Sequence, residues 1–193
     1  RRRARPGCAS AALVAGVPKG VVLADSAYGD SAEFRKALRA RGLHYAVGVS
    51  KKLTVWRLGR DGFRRGAKIS LEDLASRTPK KATNEVIWRE GTRRELSARF
   101  AFRRVVPCHD DGVPAREREP VWLIIEWAAG QTEAANYYLT SLPPDTEERR
   151  LVQTIKQRWR TEQMYSELKG ELGLDHFVGR SFPGWHHLVS VVL

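Results

Sequence analysis

Two short apolar runs with one amphipathic segment between them constrain this chain more than any other feature. Residues 21–24, VVLA, form a continuous apolar run of the kind that fills a strand buried on both faces. Residues 43–49, LHYAVGV, form a second run. Between them lies SAEFRKALRARG, with Ser31 placed to cap a helix and Gly42 placed to close it. A strand–helix–strand unit of this kind builds an α/β layer. The first strand ends at Asp25, where a central strand would leave its sheet.

Downstream the pattern changes. Residues 51–84 are basic and irregular, with a short helix predicted over SLEDLASR. From 85 to 140 the stretches EVIWREG, ELSARFAFRRVVP, VWLIIEWA and NYYLTSL are strand-like, and HDDGVPARERE is a polar loop among them. This reads as a mainly antiparallel β section inserted into an α/β core. No internal repeat is visible. PPD at 143–145 is a stop, and Asp145 with Glu148 has capping-box spacing. A long helix over 146–172, ended by Gly173, is the prediction. GRSFPGWHHLVSVVL then reads as a loop followed by the start of a buried helix. At the other end, residues 1–10 are basic and small and predict a disordered tail. Residues 11–17 read as the last turns of a helix stopped by Gly16 and Pro18. The chain thus divides into a tail (1–10), an α/β segment (11–50), a β-rich insertion (51–142) and a helical C-terminal segment (143–193).

Composition narrows the function classes. The 193 residues carry a net charge of +12 and 42% hydrophobic residues. The apolar fraction supports a core and argues against global disorder. The charge favours a polyanionic partner, nucleic acid ahead of membrane, and its arginines suit bidentate phosphate contacts. The two cysteines, Cys8 and Cys108, fit no zinc spacing and imply no disulfide, which points to a reducing compartment. No apolar run reaches the ~18 residues of a membrane span. The N-terminal segment is not a signal peptide, because its small apolar run is broken by Gly16 and Pro18 and leads into a strand.

The chemistry concentrates in the stretch RWRTEQMYSELKGELGLDHF, residues 158–177. On a helix, Arg158, Glu162 and Lys169 stand almost in line, with Leu151, Ile155 and Trp159 on the same side. Asp25 and Glu162 are carboxylates, hard oxygen ligands suited to Mg²⁺ or Mn²⁺. Two such ions about 4 Å apart activate a water and stabilise the leaving oxygen in phosphodiester cleavage.

These residues carry a family resemblance. ADSAYG, containing Asp25, resembles the second-aspartate motif of DDE-type insertion-sequence transposases. The helix resembles the signature Y-x2-R-x3-E-x6-K of part of that family. Arg158, Glu162 and Lys169 match it in type and spacing, and Ile155 stands in the tyrosine position. ELKGELGLDHF and GRSFPGWHH also look like this group, so the resemblance covers roughly residues 11–193. It implies a ribonuclease H-like fold, of which residues 11–50 are the second half of the core. It further implies cleavage of double-stranded DNA at transposon ends and joining of the 3′ ends to a target, with two divalent ions (Mg²⁺ or Mn²⁺) held by a D-D-E triad. Asp25 takes the place of the second aspartate and Glu162 that of the glutamate, both as catalytic metal ligands. Arg158 and Lys169 take DNA-phosphate roles. Family members act as multimers on paired ends, so a homo-oligomer on the bacterial nucleoid, in the cytoplasm and away from membranes, is the corresponding expectation. No acidic residue precedes Asp25, the chain starts at Arg1 and its only methionine is Met164. The reading is therefore a truncated enzyme, inactive alone because the first aspartate is absent. The alternative is a non-catalytic DNA-binding remnant; no RNP-like motif or GXXG loop supports an RNA-binding class.

Plainer roles compete at each position. Asp25 would serve as a strand-end residue capping the next turn, and Glu162 as an i,i+4 partner of Arg158. Asp30 reads as a turn residue and Asp175 as part of the loop after the long helix. Trp159, Tyr165, Trp56 and Trp88 read first as packing residues, with base stacking as the functional alternative. His186 and His187 diverge by about 100° on a helix and do not share a metal. His44, His109 and His176 show no ligand spacing. Arg1–Arg3 and Arg5 suit nonspecific phosphate contacts.

Overall fold

The predicted strand–helix–strand unit forms one end of an eight-stranded sheet in a computed structural model that describes residues 7–58, 64–89, 96–108 and 118–170, with 181 and 183. The chain divides into two compact units, Arg1–Ile155 and Lys156–Leu193. The division falls inside the helical stretch, between Ile155 and Lys156.

In the first unit β1 (Val21–Ala24) and β2 (His44–Gly48) run parallel, from Val21 opposite His44 to Ala24 opposite Val47. A one-turn helix, α2 (Ser26–Gly29), and a longer one, α3 (Ala32–Ala40), connect them. Ser31 caps α3 as its sequence predicts, its Oγ accepting the Phe34 N–H at 3.2 Å. Gly42 follows with φ +67, a left-handed conformation that glycine adopts without Cβ strain. Ahead of β1 lies α1 (Gly7–Val14), so the predicted disordered tail is helical from residue 7. Ala9 and Leu13 pack against the core, and Arg41 Nε donates to Ser10 Oγ at 2.9 Å, which ties this helix down.

The remaining strands are β3 (Thr54–Leu58), β4 (Arg64–Ser70), β5 (Asn84–Arg89), β6 (Leu96–Pro107), β7 (Val121–Trp127) and β8 (Asn136–Thr140), with α4 (Leu71–Ser76) after β4. The order is β1-β2-β8-β7-β6-β3-β4, with β5 also on β6. All pairs except β1–β2 are antiparallel. The β-rich insertion joins the α/β segment in one continuous sheet, because β8 adds directly to β2 with Ala46 opposite Thr140. The region 51–84 is more ordered than its composition suggests. β3 and β4 pair there, and α4 starts at Ser70, whose Oγ accepts the Asp73 N–H at 3.0 Å. Their buried apolar residues are few: Val55 opposite Ile69 points inward, and the rest of β4 is mostly polar or charged.

Strand alternation gives the sheet two apolar faces. One carries Val47, Val55, Leu123 and Leu139 against Phe34 and Leu38 of α3 and Leu71 of α4. The other carries Ala46, Phe100, Phe102 and Ile124 against Leu151, Val152 and Ile155 of α5 (Glu148–Lys156). Burying each large side chain contributes about 1.5–3 kcal/mol.

The single long helix predicted over 146–172 is two helices. α5 ends at Lys156, and α6 (Arg158–Gly170) belongs to the second unit. No proline or glycine marks the break at Gln157. What changes there is the apolar stripe: Leu151, Val152 and Ile155 are buried on the sheet, whereas Trp159 and Met164 of α6 are 44% and 49% exposed. The single stripe of Leu151, Ile155 and Trp159 is correspondingly split between elements. Nor does the capping box form. Asp145 lies in a turn, the helix begins at Glu148, and the Glu148 carboxylate accepts from Asn84 Nδ2 at 2.7 Å.

Candidate active site

Asp25 follows β1 immediately and becomes the N-cap of α2, with φ −84 and ψ −176. Its Oδ1 accepts the Ala27 N–H at 3.0 Å, and its backbone carbonyl accepts Tyr28 N–H at 3.2 Å and Gly29 N–H at 2.7 Å. The residue is exposed. The plainer role, a strand-end cap, is therefore performed, and it engages one carboxylate oxygen while the side chain stays open to solvent.

The turn lies directly on β2. A Cβ built on Gly29 would stand 1.9 Å from the Gly48 carbonyl oxygen, so only glycine fits there. Gly48 in turn faces the backbone of Asp25 and Ser26, where a Cβ would find Ser26 N at 3.4 Å and the Asp25 carbonyl carbon at 3.6 Å. Asp30 closes the far end: it is the C-cap residue of α2, and its Oδ1 accepts the Ser50 N–H at 2.8 Å. Arg35 of α3 is only 3% exposed. Its Nη1 donates to the Gly29 carbonyl. Burial lowers its pKa, opposed by the Tyr45 hydroxyl and the Asp30 carboxylate beside it. Burial likewise raises the pKa of Tyr45, and the Arg35 charge opposes that shift. Sequence reasoning missed Gly29, Gly48, Arg35 and Tyr45 as parts of this site. The one available signal was position 35, next to Phe34 and three before Leu38 on the buried side of α3.

In the second unit α6 carries Arg158, Glu162 and Lys169 together on one helix. At ~100° per residue they fall within about 40° of arc. Arg158 Nη2 meets Glu162 Oε1 at 2.9 Å, with the side chains 48% and 57% exposed. Gln163 Nε2 donates to Glu167 Oε1 at 2.7 Å one turn along. Ile155, in the tyrosine position, is 5% exposed and packs in the first unit. The structure thus brings Arg158 and Glu162 together, and it holds Asp25 in a separate unit.

Other candidates resolve more simply. Trp88 packs edge-on to Phe100 with centroids 5.8 Å apart, and Lys68 sits 5.5 Å over the ring of Trp56. His44 Nδ1 lies 2.8 Å from the Ser141 carbonyl, the geometry of an N–H donor to a backbone oxygen. Cys108 is half-buried just after β6, its backbone N–H donating to the Thr54 carbonyl at 2.9 Å. Among the described residues no group of three or more His, Cys, Asp or Glu is gathered to hold a metal ion. Arg1–Arg3, Arg5, His109, Gly173, Asp175, His176, His186 and His187, and the side chains of Cys8 and Tyr165, lie outside the described residues. No described helix is long and apolar enough to cross a membrane.

Residues 8–95 match the family described as DDE superfamily endonuclease. The match includes Asp25, both glycines and Arg35, and ends before α6. No curated protein matches the chain. The superfamily is ribonuclease H-like, its members generally use divalent metal ions, and its substrate is DNA. With the α/β sheet and the Asp25 turn in place, residues 8–95 are similar to a DDE superfamily endonuclease domain.

Proposed function

We propose that the chain is part of a transposase that cuts and joins double-stranded DNA at insertion-sequence ends, with Asp25 and Glu162 as catalytic metal ligands and Arg158 and Lys169 on DNA phosphates. The observation that carries the reading is the exposed carboxylate of Asp25, held at the end of β1 by a turn seated on β2, inside the stretch that matches the endonuclease family. The R-E-K spacing on α6 supports it independently. Each carboxylate is a hard oxygen donor of the kind a divalent ion takes: Asp25 is exposed with Oδ1 capping Ala27, and Glu162 is exposed on its own unit. Mg²⁺ or Mn²⁺, two ions in an intact enzyme, would supply water activation and leaving-group stabilisation. The chain's own contributions are positional. Arg158 orients the Glu162 carboxylate, and a fixed cation such as Lys169 offsets charge beside a scissile phosphate.

The 193-residue chain by itself is proposed to be inactive, since nothing in it matches the first aspartate of the triad. Action as a homo-oligomer on the bacterial nucleoid belongs to the same proposal. The test is incubation with supercoiled plasmid DNA in Mg²⁺ or Mn²⁺, alongside Asp25→Ala and Glu162→Ala. DNA retention without nicking, together with Mn²⁺ binding that Asp25→Ala abolishes, is the expected result. Metal-dependent nicking that Glu162→Ala removes would overturn the inactivity and keep the catalytic assignment. DNA retention with no Mn²⁺ response at Asp25 would favour the non-catalytic DNA-binding reading, which the net charge of +12 supports equally well.

A further inference from the structure

The Asp25 turn is held from below by a buried pair that no metal or DNA role accounts for. Arg35 reaches back from α3 to the Gly29 carbonyl. The Gly29 N–H in turn donates to the Asp25 carbonyl at 2.7 Å. Tyr45, 2% exposed, lies beside the Arg35 guanidinium and belongs to β2, the same strand that carries Gly48 under Asp25. β2 also pairs with β1, Ala24 opposite Val47, just before Asp25. These contacts close a ring: Asp25 to Gly29, Gly29 to Arg35, Arg35 to Tyr45, and Tyr45 along β2 back to the strand pair that delivers Asp25.

We propose that Arg35 and Tyr45 form a positioning clasp, fixing the Asp25 carboxylate by clamping the Gly29 end of α2 onto β2. The inference rests on the reading of Asp25 as a metal-binding carboxylate. Chemistry explains why an arginine does this work. A four-residue helix has too few internal hydrogen bonds to hold its own shape. Its last carbonyls need outside donors, and a guanidinium supplies several in a rigid fork. A buried arginine is costly unless its donors are satisfied, so its retention at 3% exposure points to a specific task. Lys36 and Arg39, on the same helix, are exposed, and Arg39 pairs with Glu119 instead of reaching the turn. The Asp30 bond to Ser50 steadies the far end of the turn but acts beyond Gly29, so it does not substitute for the clasp.

The test uses the full 193-residue chain, isotopically labelled, with Mn²⁺ alone as probe. In Arg35→Gln, millisecond amide exchange at Ala27, Tyr28 and Gly29 should accelerate about tenfold while Phe100 and Ile124 keep their protection. Mn²⁺ broadening of the Asp25 and Ser26 amides should fall about fivefold at fixed metal concentration. Tyr45→Phe, which removes only the hydroxyl, should act in the same direction and less. Unchanged turn exchange and unchanged Mn²⁺ broadening in Arg35→Gln would overturn the clasp. If Arg35→Gln also loses core protection, Tyr45→Phe decides: faster exchange confined to the turn supports the clasp, and an unchanged turn overturns it. If the unmodified chain shows no Mn²⁺ response at Asp25 while the turn still loosens in Arg35→Gln, the metal reading of Asp25 fails and the clasp stands as the holder of that turn.

Discussion

Asp25 and Glu162 are held in opposite ways. Asp25 is fixed by contacts between elements: Gly29 with no room for a Cβ against Gly48, a buried arginine and a neighbouring strand. Glu162 is fixed by local helical spacing, with one exposed partner four residues earlier. The difference teaches where the fold invests its rigidity. A residue set by tertiary packing loses its place when a distant backbone shifts, whereas one set by helical periodicity keeps its place as long as the helix exists.

The comparison breaks most directly at Gly29. Gly29→Ala forces the backbone away from the Gly48 carbonyl, and a loss of about 1–3 kcal/mol in urea unfolding is expected. A smaller loss would mean that the turn is not seated on β2. Removing the cap of α3 comes next. Ser31→Ala should lower stability by ~1 kcal/mol, because the Phe34 N–H loses its acceptor. Gly48→Ala sharpens the picture, since its Cβ would meet Ser26 N at 3.4 Å, an ordinary contact. It should shift stability by about 0.5 kcal/mol or less, and a loss as large as that of Gly29→Ala would show the two glycines to be equivalent. The smallest effect belongs to the other region. A double-mutant cycle on Arg158 and Glu162 should give a coupling of about 0.3–0.5 kcal/mol, and a value above ~1 kcal/mol would mean that the pair is held by more than its helix.

Legibility follows the same division. The strands β1, β2 and β5–β8 announce themselves through apolar runs, and α3 through Ser31 and Gly42, because these signals are local. β3 and β4 are obscured because Val55 and Ile69, their inward residues, stand near charged ones such as the exposed Arg57 and Lys68. The break at Gln157 leaves no trace in residue type, since it separates the buried Ile155 from the exposed Trp159 without a proline or glycine. Asp25 is legible through its short motif and the strand before it. Arg35 is not, because α3 also carries Lys36 and Arg39 and only the packed structure shows which of the three turns inward. The seating of Gly29 on Gly48 is equally invisible, being a contact between residues on different elements.

β8 adds to the free edge of β2, and Tyr45 N–H bonds Ser141 Oγ, a partner 96 positions further along the chain. During synthesis, β2 must therefore wait for most of the β-rich section to emerge before its second side is covered. Pairing over such separations is slow, since loop closure precedes any gain from contacts. The open strand is meanwhile a template for neighbouring chains. Newly made protein should thus be most prone to stick to itself before β8 arrives, and a ribosome pause just upstream of residue 136 would lengthen that window.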